Sequence, residues 1–189
     1  MPTAPPRPPL ARTSAEAHLY LDLRPCACGE TAFPRSSAIV EFGDDELGSR
    51  YDGECPACGA AREFLFRLPA EAVFPPAGVV VYGDGTPSEL LDPGEWLWVA
   101  DRYAGSVPAD TSGLDDAARA QVRVRIGAAA AAMDEVLAFV PTDADAVPPD
   151  AVRSELGRAV YEEEPGRFDR DRLEVIRDTY RALLRAGSV

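Results

Sequence analysis

The residues of this chain best suited to chemistry are its four cysteines. They form two close pairs, Cys26-Ala-Cys28 and Cys55-Pro-Ala-Cys58, and a glycine follows each pair. Thiolates are good ligands for Zn²⁺, which in structural sites takes four protein ligands at the corners of a tetrahedron. The short spacers let both sulfurs of a pair reach one ion, and the glycine lets the backbone curl around them. We therefore predict that Cys26, Cys28, Cys55 and Cys58 bind one structural zinc ion.

The two cysteine pairs resemble the knuckles of the zinc-ribbon superfamily, in which each knuckle is followed by glycine and lies at the tip of a strand. The resemblance covers about residues 17–68, and the Cys-x-Cys spacing of the first pair departs from the usual ribbon spacing. It implies a small antiparallel sheet held together by zinc. A zinc ion with four cysteine ligands has no open position for water or substrate, so such a site is not catalytic.

Other interpretations of the cysteines remain open, among them plain buried thiols, which paired knuckles followed by glycines do not favour. Two disulfides would need an oxidising compartment, and the Pro-rich residues 1–14 do not have the form of a signal peptide. A redox Cys-x-x-Cys motif usually begins a helix beside a parallel strand, whereas a strand is predicted after Cys58. The zinc deaminase pattern needs Pro-Cys-x-x-Cys, and Cys28-Gly-Glu30 supplies only its Cys-x-Glu part.

The elements that would position the cysteines are strands. Alternation of apolar and polar residues predicts strands over 17–24, 38–42 and 63–68, and residues 49–54 return toward the second pair. Each cysteine pair would then lie in a turn at the start or end of a strand. The expected module is an antiparallel sheet over residues 15–70, preceded by a disordered Pro-rich tail over residues 1–14.

The rest of the chain, residues 71–189, is predicted to be mainly helical after a short strand at 79–82. Asp92 followed by Pro93 and Glu95 has the form of a capped helix start. Periodicity predicts a long helix over about 114–139 and a last helix from about 169, with a shorter one around 154–162. Trp96 and Trp98 would point about 200° apart on their helix, so both cannot face one core. The fold class is therefore α+β, a small zinc-stapled antiparallel sheet followed by a mostly helical portion.

Charge restricts the classes of partner. The chain has a net charge of −13, from 32 acidic residues against 19 basic ones, and all the basic residues are Arg. The absence of Lys and Asn indicates a bacterial, GC-rich genome and excludes lysine-dependent catalysis. An acidic surface repels phosphate backbones and anionic lipids, so nucleic acid and membrane are unlikely partners and a basic protein is a suitable one. We expect a cytoplasmic protein.

No catalytic constellation is evident beside the cysteines. His18 is the only histidine, and it lies on the polar side of a predicted strand. We therefore predict a non-catalytic interaction or regulatory protein, for example an acidic inhibitor or immunity-type protein. One alternative is an enzyme that uses carboxylates or an Arg cluster in the helical half. Another is a nucleic-acid-associated zinc ribbon, which would need a coherent Arg face on residues 17–68.

Overall fold

The fold was analysed on a computed structural model that describes residues 7–42, 46–71, 75–76 and 78–186. The chain divides into two compact units, Met1–Val73 and Phe74–Val189. The first contains a three-stranded antiparallel sheet and the second is mostly helical, which confirms the predicted fold class. In the part of the chain that is described, no helix has the length and apolar character needed to cross a membrane.

The sheet of the first unit is a simple meander. Its strands follow chain order and are β1 Ser36–Phe42, β2 Glu46–Glu54 and β3 Ala61–Arg67. Tyr51 of β2 lies opposite Phe64 of β3, and Ser49 lies opposite Phe66. Directly opposed residues share a face, so these aromatic rings form one apolar surface on β2 and β3.

One helix covers that surface where a strand was predicted. Residues 17–24 do not form a strand, and helix α1 instead spans Ser14–Asp22. The Thr13 hydroxyl accepts a hydrogen bond from the N–H of Glu16 and so caps the start of the helix. This helix-start signal outweighs the alternating leucines that predicted a strand. Ala17 and Leu21, one turn apart, are buried. Tyr20 meets Phe66 edge-on, with ring centroids 5.6 Å apart.

Part of the stretch predicted to be disordered is hydrogen-bonded to the sheet. The N–H of Arg67 donates to the carbonyl of Pro9, and the N–H of Ala11 donates to the carbonyl of Arg67. Arg12 lies just before α1 and forms a buried ion pair with Glu16, which lies within α1. Residues 9–11 therefore run parallel to the end of β3.

The described residues of the second unit form four α-helices. They are α2 Pro93–Gly105, α3 Asp116–Leu137, α4 Glu155–Glu163 and α5 Arg170–Ala186, with short 3₁₀ turns at Pro149–Ala151 and Pro165–Phe168. The capped start of α2 is confirmed, because the Asp92 carboxylate and the Glu95 side chain each accept from the other's backbone N–H. The long helix, the shorter one and the last helix are also present. Gly187, expected just beyond the last helix, lies outside the described residues.

The core of the second unit lies between α2, α3 and α5. Its large fully buried side chains include Trp96, Leu97, Met133 and Leu173. Trp98 is only half-buried, and the Arg102 guanidinium stacks over its ring at 5.2 Å. The two tryptophans thus face different surroundings, as their helical spacing requires.

The short strand predicted at 79–82 is wrong. Apart from a single bridge between Ala146 and Asp169, the described residues of the second unit form no β pairing. A strand without a partner leaves its backbone groups unpaired, so this apolar run adopts an irregular conformation. Tyr82 at its end is buried and packs against Trp96, with ring centroids 4.9 Å apart.

Candidate metal centre

The two cysteine pairs lie in loops that different elements position. Cys55 and Cys58 lie in the tight turn that joins β2 to β3, as predicted. Cys26 and Cys28 follow α1 rather than a strand, which corrects the expected placement of the first pair. The turn expected for the second pair is present, whereas a helix precedes the first pair; we call the two cysteine loops the first and the second knuckle.

The two loops close with the same pair of backbone hydrogen bonds. In the first knuckle the N–H of Cys26 donates to the carbonyl of Glu30, and the N–H of Gly29 donates to the carbonyl of Cys26, both at 2.8 Å. The second knuckle repeats this pattern with one residue more. There Cys55 donates to Ala60 at 2.9 Å and Gly59 donates to Cys55 at 2.8 Å.

A glycine with positive φ completes each loop. Gly29 has φ 89° and Gly59 has φ 73°, a region in which residues with a side chain are strained. The Cys-x-Cys pair thus forms a knuckle of the same design as the Cys-x-x-Cys pair, shortened by one residue. The glycines identified from the sequence are required by the turn geometry.

The four sulfurs converge on one point. All four Sγ atoms lie within 4.8 Å of one another, and none of the four cysteines forms a disulfide. Two contacts join the first knuckle to the second. Cys26 Sγ lies 3.7 Å from Cys58 Sγ, and Cys28 Sγ lies 3.6 Å from Cys55 Sγ. Cys26 and Cys55 are buried, whereas Cys28 and Cys58 are exposed.

These distances fit a tetrahedral metal ion. A Zn–S bond of about 2.3 Å places the sulfurs of a ZnS₄ tetrahedron about 3.8 Å apart. A disulfide would hold two sulfurs at about 2.05 Å. The two distances of 3.6 and 3.7 Å match the first arrangement, so the cluster could hold a metal ion.

The electrostatics of the cluster also suit a cation. The backbone N–H of Cys58 donates to the sulfur of Cys55 and, with that of Ala57, lowers the pKa of Cys55 to about 7 against the effect of burial. The N–H of Ala60 lowers the pKa of Cys58, but the three neighbouring cysteine side chains outweigh it and raise that pKa to about 12. Four thiolates cannot ionise together without a positive ion between them, and a divalent cation would remove this repulsion.

The arginines of the first unit are used within the unit. Arg62 stacks over Phe33 at 4.3 Å and donates to the carbonyl of Arg24, which itself lies over the Tyr20 ring. The other three arginines of residues 17–68 have polar partners: Arg35 with Asp22, Arg50 with Asp52, and Arg67 with the carbonyl of Pro8. These guanidinium groups thus cover aromatic rings or pair with local acceptors of the first unit.

A groove in the second unit was not foreseen from the sequence. It has a volume of about 520 Å³ and an apolar floor that includes Val80, Val124 and Leu184. Asp134 lies at its side, where burial raises the pKa of the carboxyl although Arg181 pairs with it at 2.7 Å. This ion pair joins α3 to α5. Its two residues are 47 positions apart in the sequence, so no local signal indicates the pair.

His18, the only histidine, lies on α1 and meets the Tyr51 ring edge-on at 5.3 Å. Burial, followed by the nearby Arg35 guanidinium, lowers its pKa, while Asp22 opposes this. The imidazole thus packs against an aromatic ring within the first unit.

Comparison of the chain with protein-family models, with curated proteins and with solved structures gives no match.

Proposed function

We propose that the four cysteines bind one structural Zn²⁺ ion and that the protein acts through binding another protein. The observation that carries the first part is the convergence of four sulfurs within 4.8 Å from two knuckles of the same design. Tetrahedral sites with four sulfur ligands are typical of zinc or of iron. Zinc fits a site whose ligands are all cysteines on hydrogen-bonded knuckles and whose role is to join two loops.

The size of the first unit supports a structural role for the ion. Domains below about 70–80 residues rarely bury enough apolar surface to be stable without a staple. This unit relies on one three-stranded sheet, one helix and a cluster of aromatic rings. A metal ion that ties the loop after α1 to the turn between β2 and β3 would hold the helix against the sheet.

Removal of the ion provides the direct test of this role. We expect a chelator under reducing conditions to expose four thiols and to increase tryptic cleavage after Arg35, Arg50 and Arg62 of the first unit. Cleavage within α3 and α5 serves as the internal control, because those helices belong to the other unit. Unchanged cleavage of the first unit after complete metal removal would contradict a structural role.

A protein-binding function is supported by saturation of the metal and by charge. Four cysteine ligands leave no coordination position for a substrate. The net charge of −13 favours association with a basic partner, because complementary potentials accelerate encounter and exclude other acidic proteins. An inhibitor or immunity-type protein that neutralises a basic protein is one concrete form of this proposal.

Salt dependence tests the electrostatic part. We expect a partner isolated with the full-length chain to be basic, and the dissociation constant of the purified pair to rise several-fold between low salt and about 0.5 M salt, where charges are screened within a few Å. An affinity that does not change with salt, or an acidic partner, would contradict this part while leaving the metal site untouched.

The enzyme alternative has one supporting observation, the groove beside Asp134. Its volume lies in the range of small-molecule sites, about 300–1,000 Å³. Asp134 nevertheless supplies the single carboxylate among the residues that line the groove, and Arg181 pairs with it. Substitution Asp134→Asn separates the two functions, because it should leave partner binding intact and should abolish any catalysis that depends on this carboxylate.

A further inference from the structure

Each exposed cysteine of the cluster contacts a buried cysteine from the other knuckle. Cys28 and Cys58 are exposed, whereas Cys26 and Cys55 have exposed fractions of only 7% and 2%. The exposed Cys28 lies 3.6 Å from the buried Cys55, and the exposed Cys58 lies 3.7 Å from the buried Cys26. Each of these two contacts thus joins an exposed cysteine of one knuckle to a buried cysteine of the other.

We propose that Cys28 and Cys58 are the sites at which hydroperoxides oxidise this protein, and that the buried cysteine facing each one completes a disulfide. This inference rests on the proposed zinc site and assigns its regulation. The products are the disulfides Cys28–Cys55 and Cys26–Cys58, and the metal ion leaves as its ligands are consumed.

The chemistry needs one peroxide for each disulfide. The exposed thiolate attacks the peroxide O–O bond, which breaks to give a sulfenic acid on the cysteine and a hydroxide that leaves as water. The facing thiolate then displaces the sulfenic hydroxyl group, which also leaves as water, and the S–S bond forms. Two peroxides and four protons thus convert the four zinc-bound thiolates into two disulfides, one Zn²⁺ ion and four waters.

The two contacts place disulfides between the knuckles within reach. Each facing pair has to close by only about 1.5 Å to reach a bond of about 2.05 Å. A disulfide within Cys26-Ala-Cys28 or within Cys55-Pro-Ala-Cys58 would instead leave the two loops without a link. Disulfides between the knuckles join the same two loops that the metal joins, so the oxidised protein should keep the fold of its first unit after the metal has gone.

The experiment treats the zinc-loaded full-length chain with hydrogen peroxide and follows zinc with a chromophoric indicator. The chain is then digested with trypsin without reduction. Because Pro25 protects the bond after Arg24, trypsin leaves Cys26 and Cys28 together on residues 13–35, and Cys55 and Cys58 together on residues 51–62. Mass spectrometry separates the alternatives, since disulfides between the knuckles link the two peptides and disulfides within a knuckle leave them apart. Partial reduction followed by alkylation identifies the pairs.

Two single variants provide a matched control, because each removes one metal ligand. Cys28→Ser should leave the Cys26–Cys58 disulfide and a Cys55 that is alkylated after denaturation. Cys26→Ser should leave the Cys28–Cys55 disulfide and a free Cys58. The expected result for the parent chain is release of all its zinc, linked peptides, and recovery of zinc binding after reduction.

Three outcomes would overturn the proposal: separate peptides, the pairing Cys26–Cys55 with Cys28–Cys58, or further oxidation of Cys28 and Cys58 without any link. A chain that carries no zinc before peroxide is added would instead contradict the proposed metal site. The disulfides that peroxide forms in such a metal-free chain would still show which cysteines pair. Failure of the metal site and failure of the proposed pairing are therefore distinguishable.

Discussion

The carboxylate of Asp92 lies so close to the backbone of Gly157 that a Cβ atom on Gly157 would stand 2.2 Å from Oδ1 of Asp92. The same carboxylate serves two helices. Oδ1 accepts from the N–H of Glu95 at the start of α2, and Oδ2 accepts from the N–H groups of Arg153 and Ser154, at 2.8 and 2.6 Å, just before α4. Helices α2 and α4 therefore meet at their first turns with no room for a side chain between them.

Substitution Gly157→Ala should destabilise the second unit. The new methyl group would overlap the Asp92 carboxylate, and overpacking of this kind costs about 1–3 kcal/mol. The matched control is Gly127→Ala in α3, where no described heavy atom lies within 4 Å of the added Cβ and helix propensity favours alanine by up to about 1 kcal/mol. Urea unfolding followed by circular dichroism measures both. Equal stability of the two variants would show that α2 and α4 are less closely packed than described.

Substitution Asp92→Ala removes an acceptor from three buried or partly buried N–H groups. Loss of a helix cap costs about 0.5–2 kcal/mol, and each of the two further N–H groups left unpaired adds about 1–3 kcal/mol, so we expect a loss of at least about 2.5 kcal/mol. Asp115→Ala is the control, because Asp115 caps α3 at an exposed position by accepting from Ala118. Its cost should be about 1 kcal/mol or less. A smaller effect at Asp92 than at Asp115 in urea unfolding would contradict the shared cap.

The buried ion pair Arg12–Glu16 should be essential to the first unit. The Arg12 side chain is 3% exposed and the Glu16 side chain is fully buried, with Nε lying 3.1 Å from Oε1. Glu16→Gln removes the buried carboxylate that pairs with the Arg12 guanidinium, and breaking a buried ion pair costs about 3–5 kcal/mol. Glu164→Gln, which breaks the exposed pair with Arg172, is the control and should change stability little. The double variant Arg12→Met/Glu16→Met should recover much of the loss, and thermal unfolding that ranks it below Glu16→Gln would count against this account.

Metal binding should release protons, and its affinity should rise with pH. The pKa of Cys58 is about 12 without metal, so its proton must leave when the ion binds near neutral pH. Cys55, with a pKa of about 7, is already largely ionised at about pH 8 and should contribute a released proton mainly below its pKa. Calorimetry in buffers with different ionisation enthalpies counts the protons. Binding with no proton release near neutral pH would show that these sulfurs are not the ligands.

Local signals made part of the fold predictable. The capped start of α2 follows from Asp92 and Glu95 alone, and the β2–β3 knuckle follows from Cys55, Cys58 and the glycine after them. In each case neighbouring residues make the hydrogen bonds that define the element, so the sequence contains the whole arrangement.

The first helix shows where such signals compete. Leu19, Leu21 and Leu23 alternate as in a strand, but Thr13 and Glu16 form a helix-start pattern and the helix prevails. The pattern T-x-x-E was the signal that identifies this helix.

Contacts between residues that are distant in the sequence could not be predicted. The facing of Cys28 with Cys55 and the pairing of Asp134 with Arg181 depend on how whole elements are packed. The sequence pointed to one metal cluster, but it held no information on which sulfur faces which or which is exposed.

The most direct test of the central claim is X-ray absorption at the zinc edge on the chain purified under reducing conditions. The account predicts one zinc ion per chain surrounded by four sulfur atoms at about 2.3 Å, with no nitrogen or oxygen ligand. Cys55→Ser should replace one sulfur by a lighter ligand or lose the ion. A wild-type chain without zinc, or with zinc bound by nitrogen and oxygen atoms, would contradict the claim that Cys26, Cys28, Cys55 and Cys58 form a structural zinc site.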